Sequence, residues 1–385
     1  MDFRFDLETE RFRAEIREFL AEAMVDAGEH VDPHDLTGLE AEYERALHRR
    51  AGERGWLQLR GERRAVFEYE VARADAPLID TAMTLAGHAI TTFGSVRHAS
   101  LVEQMANGAT IGCIAYTEAG AGSDLTAIET TAAPDGDGWT LSGRKVLVTA
   151  APKADWCLTI ARTEVDARQG AAFTMFVVDM RAPGVRVEPR ETMNGWALGD
   201  ITFDSVRLGA DAVVGEVGAG WRQMAAAVNA ERSGMFWLGF AQHLFDLIVD
   251  HVRTGSRLGK PLVSDPIARD AVARCAVEVA AVERLARRAL WTTRTTAADP
   301  ALNALVKIAS TELLQVLAQT ATELSGRAGT VWAPLFGAAP PGAAGGGRFA
   351  WEYLERVHGT ISVGANELQR DTVAALAFGL TGAAR

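Results

Sequence analysis

The spacing of hydrophobic residues predicts helices at the start of the chain. Phe12, Ile16, Phe19 and Leu20 recur at helical intervals between charged residues, as on the apolar face of an amphipathic helix. No run up to Leu85 alternates with the period of two that strands show. We therefore predict that residues 1 to about 109 are helical.

After Gly108 the pattern changes to short apolar segments separated by turns. The segments DGDGW and RAPG are typical turn sequences. Apolar residues at every second position predict strands, at Trp139 and Leu141, Val146 and Val148, Phe173, Met175 and Val177, Val185 and Val187, and Ile201 and Phe203.

From about Gly218 the spacing is helical again. Residues 334–347 (PLFGAAPPGAAGGG) predict a flexible linker, and two helical segments separated by SVGAN follow it. Long helices without an internal proline are predicted from Trp221 to Val252, Pro266 to Ala297 and Ala301 to Ala328.

The order of helices, sheet and helices indicates an α+β fold rather than alternating βαβ units. We predict three domains: an N-terminal helical domain (1–109), a middle β-domain (110–214) and a C-terminal helical bundle (215–385). A chain of 385 residues is long enough for two or three domains.

Composition and charge exclude several classes of protein. The net charge of −11 argues against binding to nucleic acid or to anionic membranes. Three scattered cysteines are too few for a disulfide scaffold, so we expect a reducing, cytoplasmic location. The first residues carry charges throughout, unlike a signal peptide, and no uncharged stretch is long enough to span a membrane. The dispersed histidines predict no metal site.

The loop Tyr116–Asp124 (YTEAGAGSD) is the first candidate for chemistry. Its glycines let backbone N–H groups approach a ligand closely, and Thr117 and Ser123 add hydroxyl donors. The alternative is a purely structural turn. The chain has neither a GxGxxG nor a GxxxxGK[ST] motif in the required context, so neither a Rossmann dinucleotide site nor a P-loop is supported.

Glu231 is the second candidate. At 100° per residue it lies within an apolar stripe formed by Trp221, Met224, Val228, Met235, Leu238 and Phe245. A carboxylate on an apolar face is costly to ionise, which raises its pKa and suits a general base near neutral pH. The alternative is a buried structural ion pair with an arginine.

The sequence resembles the acyl-CoA dehydrogenase family through five segments in the expected order. They are the loop Thr117–Asp124, the strand pattern Trp139-x-Leu141-x-Gly143-x-Lys145, the pair Glu231-Arg232, the stretch Arg257–Leu262 and the box Ile361–Arg370. The resemblance covers essentially the whole chain.

The resemblance implies an N-terminal helical domain, a middle β-barrel or sheet domain and a C-terminal four-helix bundle. It also implies non-covalent FAD and oxidation of the Cα–Cβ bond of an acyl thioester, either acyl-CoA or an acyl-carrier-protein thioester. Electron-transferring flavoprotein is the implied oxidant, and a homo- or hetero-tetramer the implied assembly. Carried over by motif, Ser123 and Arg232 would bind substrate, and FAD would contact Tyr116, Thr117, Thr149, Arg257, Asn366 and Gln369.

Asn366 and Gln369 also form a capping-box pattern for the last helix. Pure capping and a contact with FAD are compatible interpretations of this segment. For Arg232, a tether between the long helix and the β-domain is the alternative to substrate binding.

The sequence departs from the family pattern at several positions, among them Leu147, where many members have tryptophan. Many members carry the catalytic glutamate where this chain has Val363, so the base is expected at Glu231, as in other branches of the family. Ala119, Gly255 and Ala365 replace the usual proline, arginine and threonine. These departures leave two alternatives to an active dehydrogenase: a non-catalytic subunit of a heteromeric enzyme, or a flavin-dependent oxygenase or acyl-carrier-protein dehydrogenase on the same fold.

Overall fold

The computed structural model describes residues 4–30, 39–78, 86–164, 172–193, 198–231, 234–257, 259–295, 299–333 and 339–380. Within these ranges the helices are α1 (Leu7–His30), α2 (Leu39–Glu53), α3 (Gly61–Arg73), α4 (Gly87–Phe93), α5 (Ala99–Ala106), α6 (Gly220–Glu231), α7 (Met235–Thr254), α8 (Pro266–Thr295), α9 (Pro300–Ser325), α10 (Arg348–Glu355) and α11 (Asn366–Phe378). The strands are β1 (Gly112–Ala115), β2 (Thr131–Asp135), β3 (Gly138–Thr149), β4 (Trp156–Arg162), β5 (Phe173–Asp179), β6 (Val185–Arg190), β7 (Leu198–Leu208), β8 (Val213–Val214), β9 (Ser256–Arg257) and β10 (Lys260–Pro261).

The strands β1 to β8 form one mixed sheet. Its order is β6-β7-β3-β2-β4-β5-β8, and β1 pairs in parallel with β4. Most neighbours are antiparallel; β2 and β3 are joined by the predicted Asp-Gly turn, in which Gly136 has a φ of +65°. Almost all of β4 is buried, because it lies inside the sheet with both faces covered. The predicted strands are confirmed in β3, β5, β6 and β7; β4 was not predicted.

The chain forms two compact units. The first contains Met1–Asp35, Leu59–Ile79 and Arg232–Arg385, and the second contains Leu36–Gln58 and Asp80–Glu231. The N-terminal helices are thus shared: α1 and α3 belong to the first unit, and α2, α4 and α5 to the second. The domain limits near residues 109 and 214 stay a prediction.

The first unit is a helical bundle. Helices α7, α8 and α9 pack on one another, α3 packs on α7, and α10 and α11 pack on α9. Asp299 caps α9 by accepting hydrogen bonds from the N–H groups of Ala301 and Leu302, and Pro300 occupies the first turn, where its missing N–H costs nothing. Of the described helices, only α9 with the turn after it is apolar enough to cross a membrane, and most of that stretch is buried in this bundle.

The prediction of one helix from Trp221 to Val252 is wrong. Helix α6 ends at Glu231, and α7 begins at Met235 after Gly234, whose φ is +71°. A Cβ at Gly234 would lie 2.0 Å from Cγ1 of Val306, so both the left-handed conformation and the close approach of α9 require glycine. The apolar stripe around Glu231 therefore does not continue in one helix.

The Pro/Gly segment 334–347 is only partly the linker that its composition predicts. Ala344–Gly347 forms a short 3₁₀ turn in which Ala344 and Gly347 are buried. Residues 334–338 lie outside the described ranges.

Candidate active site

Glu118 anchors the glycine-rich loop to the sheet. Its carboxylate accepts hydrogen bonds from Nζ of Lys145 at 2.8 Å and from the N–H groups of Glu129 at 2.7 Å and Thr130 at 3.1 Å. Lys145 is fully buried and also donates to the carbonyl of Tyr116 at 3.2 Å. Burial alone would raise the pKa of Glu118, but the charge and hydrogen bond of Lys145 and the bonds at Thr130 and Glu129 hold it below its usual value. The loop is thus fixed by a buried ion pair that the sequence analysis missed.

Strand β3 adds a second connection to the loop. The N–H of Val146 leaves the ladder and donates to the carbonyl of Thr117 at 2.9 Å. The next residue, Leu147, has a φ of +56°, and 54% of its side chain is exposed. An exposed leucine in the left-handed region is uncommon and marks a place where strain is retained for a reason.

The four candidate residues of the second unit differ in exposure. Tyr116 and Thr117 are half-buried, while Ser123 and Thr149 are exposed. The Tyr116 hydroxyl lies 4.0 Å from Sδ of Met175, and burial raises its pKa. The contacts of Val146 and Lys145 bring Tyr116 and Thr117 alongside the strand that carries Thr149. Their predicted contacts with cofactor and substrate stay predictions.

The C-terminal box begins with a left-handed turn. Val363 and Gly364 have φ values of +54° and +86°. Buried Lys307 on α9 holds this turn, because its Nζ donates to the carbonyl of Gly364 at 2.9 Å and to Oδ1 of Asn366 at 2.8 Å. Lys307 is a further residue that the sequence analysis missed; its signal is a lysine inside the apolar helical run ALVKIA.

The capping prediction for Asn366 is wrong. Helix α11 begins at Asn366 after Ala365, without a side-chain cap. The Asn366 amide instead donates to Oγ1 of Thr311 at 3.1 Å and to Oε1 of Glu312 at 3.2 Å, so α9 competes for the side chain that would have capped α11. Gln369 is also buried; its amide nitrogen lies 3.4 Å from the Gly364 carbonyl, and its Oε1 has no hydrogen-bond partner among the residues that the structure describes.

Arg257 lies in β9 and forms a half-exposed ion pair with Asp265 at 2.9 Å. Gly255 ends α7 in an extended conformation, and the two arginines that flank it, Arg253 and Arg257, are exposed. A guanidinium on this segment is therefore accessible, although Arg257 already has a carboxylate partner.

The predicted base falls at the edge of the described structure. Glu231 is the last residue of α6, but its side chain lies outside the described residues, as does the whole of Arg232. Their predicted roles stay predictions.

Each unit by itself presents groups that suit the binding of a cofactor. In the second unit, an ideal Cβ at Gly120 or Gly122 would meet open space, so the loop backbone is accessible, and Leu147 presents an exposed apolar surface. In the first unit, the buried Oε1 of Gln369 is an acceptor to which no described residue donates. The described residues contain no cluster of three or more metal-ligating side chains.

Family models match two parts of the chain. The model of the acyl-CoA dehydrogenase middle domain matches residues 113–206, and that of the acyl-CoA dehydrogenase C-terminal domain matches residues 218–378. Among curated proteins, acyl-CoA dehydrogenase IpdE1 of Mycobacterium tuberculosis is 33% identical over 282 residues, which are 67% of this chain and 72% of that protein. The human mitochondrial short-chain specific acyl-CoA dehydrogenase is 32% identical over 179 residues, 45% of this chain and 43% of that protein.

Solved structures share the fold over the full length. The Tcur3481-Tcur3483 steroid ACAD superposes with a TM-score of 0.87 at 24% identity, covering 100% of both chains. The ChsE4-ChsE5 complex from Mycobacterium tuberculosis gives 0.87 at 23% identity, also covering 100% of both chains. Glutaryl-coenzyme A dehydrogenase in complex with glutaryl-CoA gives 0.82 at 22% identity, covering 100% of this chain and 98% of that one.

The helical N-terminal region, the mixed-sheet middle domain and the helical C-terminal region match these relatives in fold, and the middle and C-terminal regions match the family models in sequence. The chain therefore belongs to the acyl-CoA dehydrogenase family of flavin-dependent oxidoreductases.

Proposed function

We propose that this protein binds FAD non-covalently and dehydrogenates the Cα–Cβ bond of an acyl thioester, with Glu231 as the base. The observation that carries the proposal is the side chain at position 363. Val363 stands where many family members carry the catalytic glutamate, and a valine cannot accept a proton. Glu231, at the end of α6, is then the carboxylate that the family pattern leaves for this role.

The reaction divides between the cofactor and the chain. FAD supplies the acceptor for the hydride that leaves Cβ. The Glu231 carboxylate takes the proton from Cα, and the electron pair of the broken Cα–H bond becomes the second bond between Cα and Cβ. Tyr116, Thr117 and Thr149, and in the first unit Arg257, Asn366 and Gln369, bind the cofactor, while Ser123 and Arg232 bind the thioester.

The proposal extends to partners. Electron-transferring flavoprotein reoxidises the flavin, and the protein works in the cytoplasm as a homo- or hetero-tetramer. A partner chain of the same fold is supported by two solved relatives, Tcur3481-Tcur3483 and ChsE4-ChsE5, each of which is named as a pair of proteins. Because the Tcur3481-Tcur3483 relative is named a steroid ACAD, bulky, ring-bearing acyl thioesters, on CoA or on a carrier protein, are the first substrates to test.

One alternative is a non-catalytic subunit that supports an active partner chain. The observation that favours it is the set of departures from the family pattern at Ala119, Gly255, Val363 and Ala365. A flavin-dependent oxygenase on the same fold is a further alternative, and it would need no base for an α-proton.

The test compares the wild-type protein with Glu231→Gln. Both should carry FAD, but anaerobic reduction of the flavin by acyl thioesters should be about 10²–10⁴-fold slower in the variant, the usual contribution of a general base. Glu216→Gln is the matched control, because Glu216 is an exposed glutamate just before α6 and pairs with exposed Arg222.

The other outcomes separate the alternatives. Full activity in Glu231→Gln would remove Glu231 from the mechanism and favour the oxygenase. A wild-type protein that stays colourless with added FAD but restores activity to a homologous chain would identify a supporting subunit.

A further inference from the structure

A β-bulge separates the two halves of β3. Lys145 pairs with Ile201, and Val148 pairs with Gly199, so Val146 and Leu147 together lie opposite one residue of β7, Asp200. Bulges of this kind re-aim side chains and backbone groups next to functional sites.

The Asp200 side chain fills the gap that the bulge leaves in the ladder. Only 2% of Asp200 is exposed. Its Oδ1 accepts the N–H of Leu147 at 3.2 Å and Nε of Arg190 at 3.0 Å, and its Oδ2 accepts Nη2 of Arg144 at 3.1 Å and Nη2 of Arg190. The carboxylate thus replaces the acceptor that a regular ladder would have supplied to Leu147.

Asp200 is ionised over the whole working range of pH. The hydrogen bonds from Arg190 outweigh burial and, with the Leu147 N–H and Arg144, lower the pKa of Asp200 to about 2. A charged acceptor makes a stronger hydrogen bond to a backbone N–H than a carbonyl does, which suits a contact that must retain a leucine in the left-handed region.

The bulge has two consequences for the candidate site. It turns the N–H of Val146 toward the Thr117 carbonyl, which ties β3 to the glycine-rich loop. It also presents the Leu147 side chain to solvent two residues before exposed Thr149. Both features belong to the two bulged residues.

We propose that Asp200 is a positioning residue for the cofactor-binding surface: through the N–H of Leu147 it holds the bulge that aligns Thr117, Leu147 and Thr149. The inference rests on the proposed binding of FAD by this surface. Asp200 itself lies on β7, opposite the bulge, and acts through the backbone N–H of Leu147.

The test is Asp200→Asn, which keeps the size of the side chain but removes its charge. The variant should bind FAD about tenfold more weakly, the equivalent of one charge-assisted hydrogen bond, as measured by titrating flavin-free protein. Hydrogen exchange of the Val146 and Leu147 amides should become faster in the same variant. Asp204→Asn is the matched control, since Asp204 lies on the same strand, pairs with Arg186 and is exposed; it should change neither measurement.

A second substitution separates positioning from general stabilisation. Glycine adopts a positive φ without a Cβ penalty. A Leu147→Gly variant therefore no longer needs the hydrogen bond to Asp200 to keep this conformation. In that background Asp200→Asn should change the FAD dissociation constant by no more than about twofold, which is the usual scatter between independent sites. If Asp200→Asn does not fold, Arg190→Gln replaces it in both backgrounds, because it removes two of the hydrogen bonds that fix the carboxylate.

An equal loss of affinity in the wild-type and Leu147→Gly backgrounds would overturn the proposal, as would unchanged affinity and unchanged exchange in Asp200→Asn. If the wild-type protein takes up no FAD, the proposed function fails instead. The hydrogen-exchange comparison still decides whether Asp200 holds the bulge.

Discussion

Buried charged side chains define the site at the scale of single residues. Glu118 is 8% exposed and Lys145 is fully buried, yet the pair satisfies most of its hydrogen-bonding groups through the backbone of the loop and the sheet. Such a pair adds little stability over apolar residues, but losing one partner leaves an uncompensated charge. Its effect is to specify one position for the loop.

Glu118→Gln should lower the free energy of unfolding by about 3 kcal/mol, because the Lys145 ammonium would be left in the core without a carboxylate. Urea denaturation at pH 7 measures the loss. The double variant Glu118→Gln/Lys145→Met should recover part of it, since it removes the unpaired charge. An exposed pair provides the control: Arg207→Gln, opposite Asp135, should cost no more than about 1 kcal/mol.

The stability difference between wild type and Glu118→Gln should depend on pH. The folded-state pKa of Glu118 lies below its usual 4.5, so the contribution of the carboxylate to stability is complete above pH 4.5 and is lost as the pH falls through the depressed value. The difference in stability between wild type and Glu118→Gln should therefore narrow in acid. A difference that stays constant down to about pH 3, below the usual pKa, would contradict the ion pair.

At the scale of elements, α9 organises the start of α11. One face of α9 supplies Lys307, Thr311 and Glu312, which hold Gly364 and Asn366. Because these bonds use the Asn366 side chain, α11 begins without its predicted cap. The left-handed turn at Val363 is thus maintained by tertiary contacts.

Lys307→Met should destabilise the protein by about 1–3 kcal/mol, because the Gly364 carbonyl and Oδ1 of Asn366 lose a buried donor. Chemical denaturation gives the magnitude, and hydrogen exchange shows whether the loss is local to residues 363–369. Lys260→Met, at an exposed lysine in β10, should leave both unchanged. Unaltered exchange of the Gly364–Gln369 segment in Lys307→Met would show that α9 does not hold the turn.

At the scale of the whole molecule, apolar side chains remain exposed near the C-terminus. Leu376, Phe378 and Leu380 are each more than half exposed, an arrangement that is typical of a surface covered by another chain. This supports the proposed assembly with a chain of the same fold.

Light scattering of the FAD-loaded protein should give about four times the 41.2 kDa of one chain, either from this chain alone or after co-expression with a homologous chain. Leu376→Glu/Phe378→Glu should reduce the measured mass. The control Val96→Glu, at an exposed apolar residue distant in sequence from the C-terminus, should leave the mass unchanged. A fully flavin-loaded single chain would contradict the tetramer.

The sequence by itself determined the order of the helical and stranded regions and identified the family. Helical spacing, strand alternation and the Asp-Gly turn depend on neighbours along the chain, so they could be predicted locally, and the motif residues identified the loop and the box. The sequence could not place the break at Gly234, the bulge opposite Asp200 or the contacts of Lys307 and Asn366. Each of these depends on a residue distant in the chain: Val306 excludes a side chain at 234, Asp200 supplies the acceptor for Leu147, and Lys307 supplies the donor to Gly364. The tertiary structure decided them because packing sets which side chain approaches a given backbone, and because a buried polar group must find its partner wherever packing brings one.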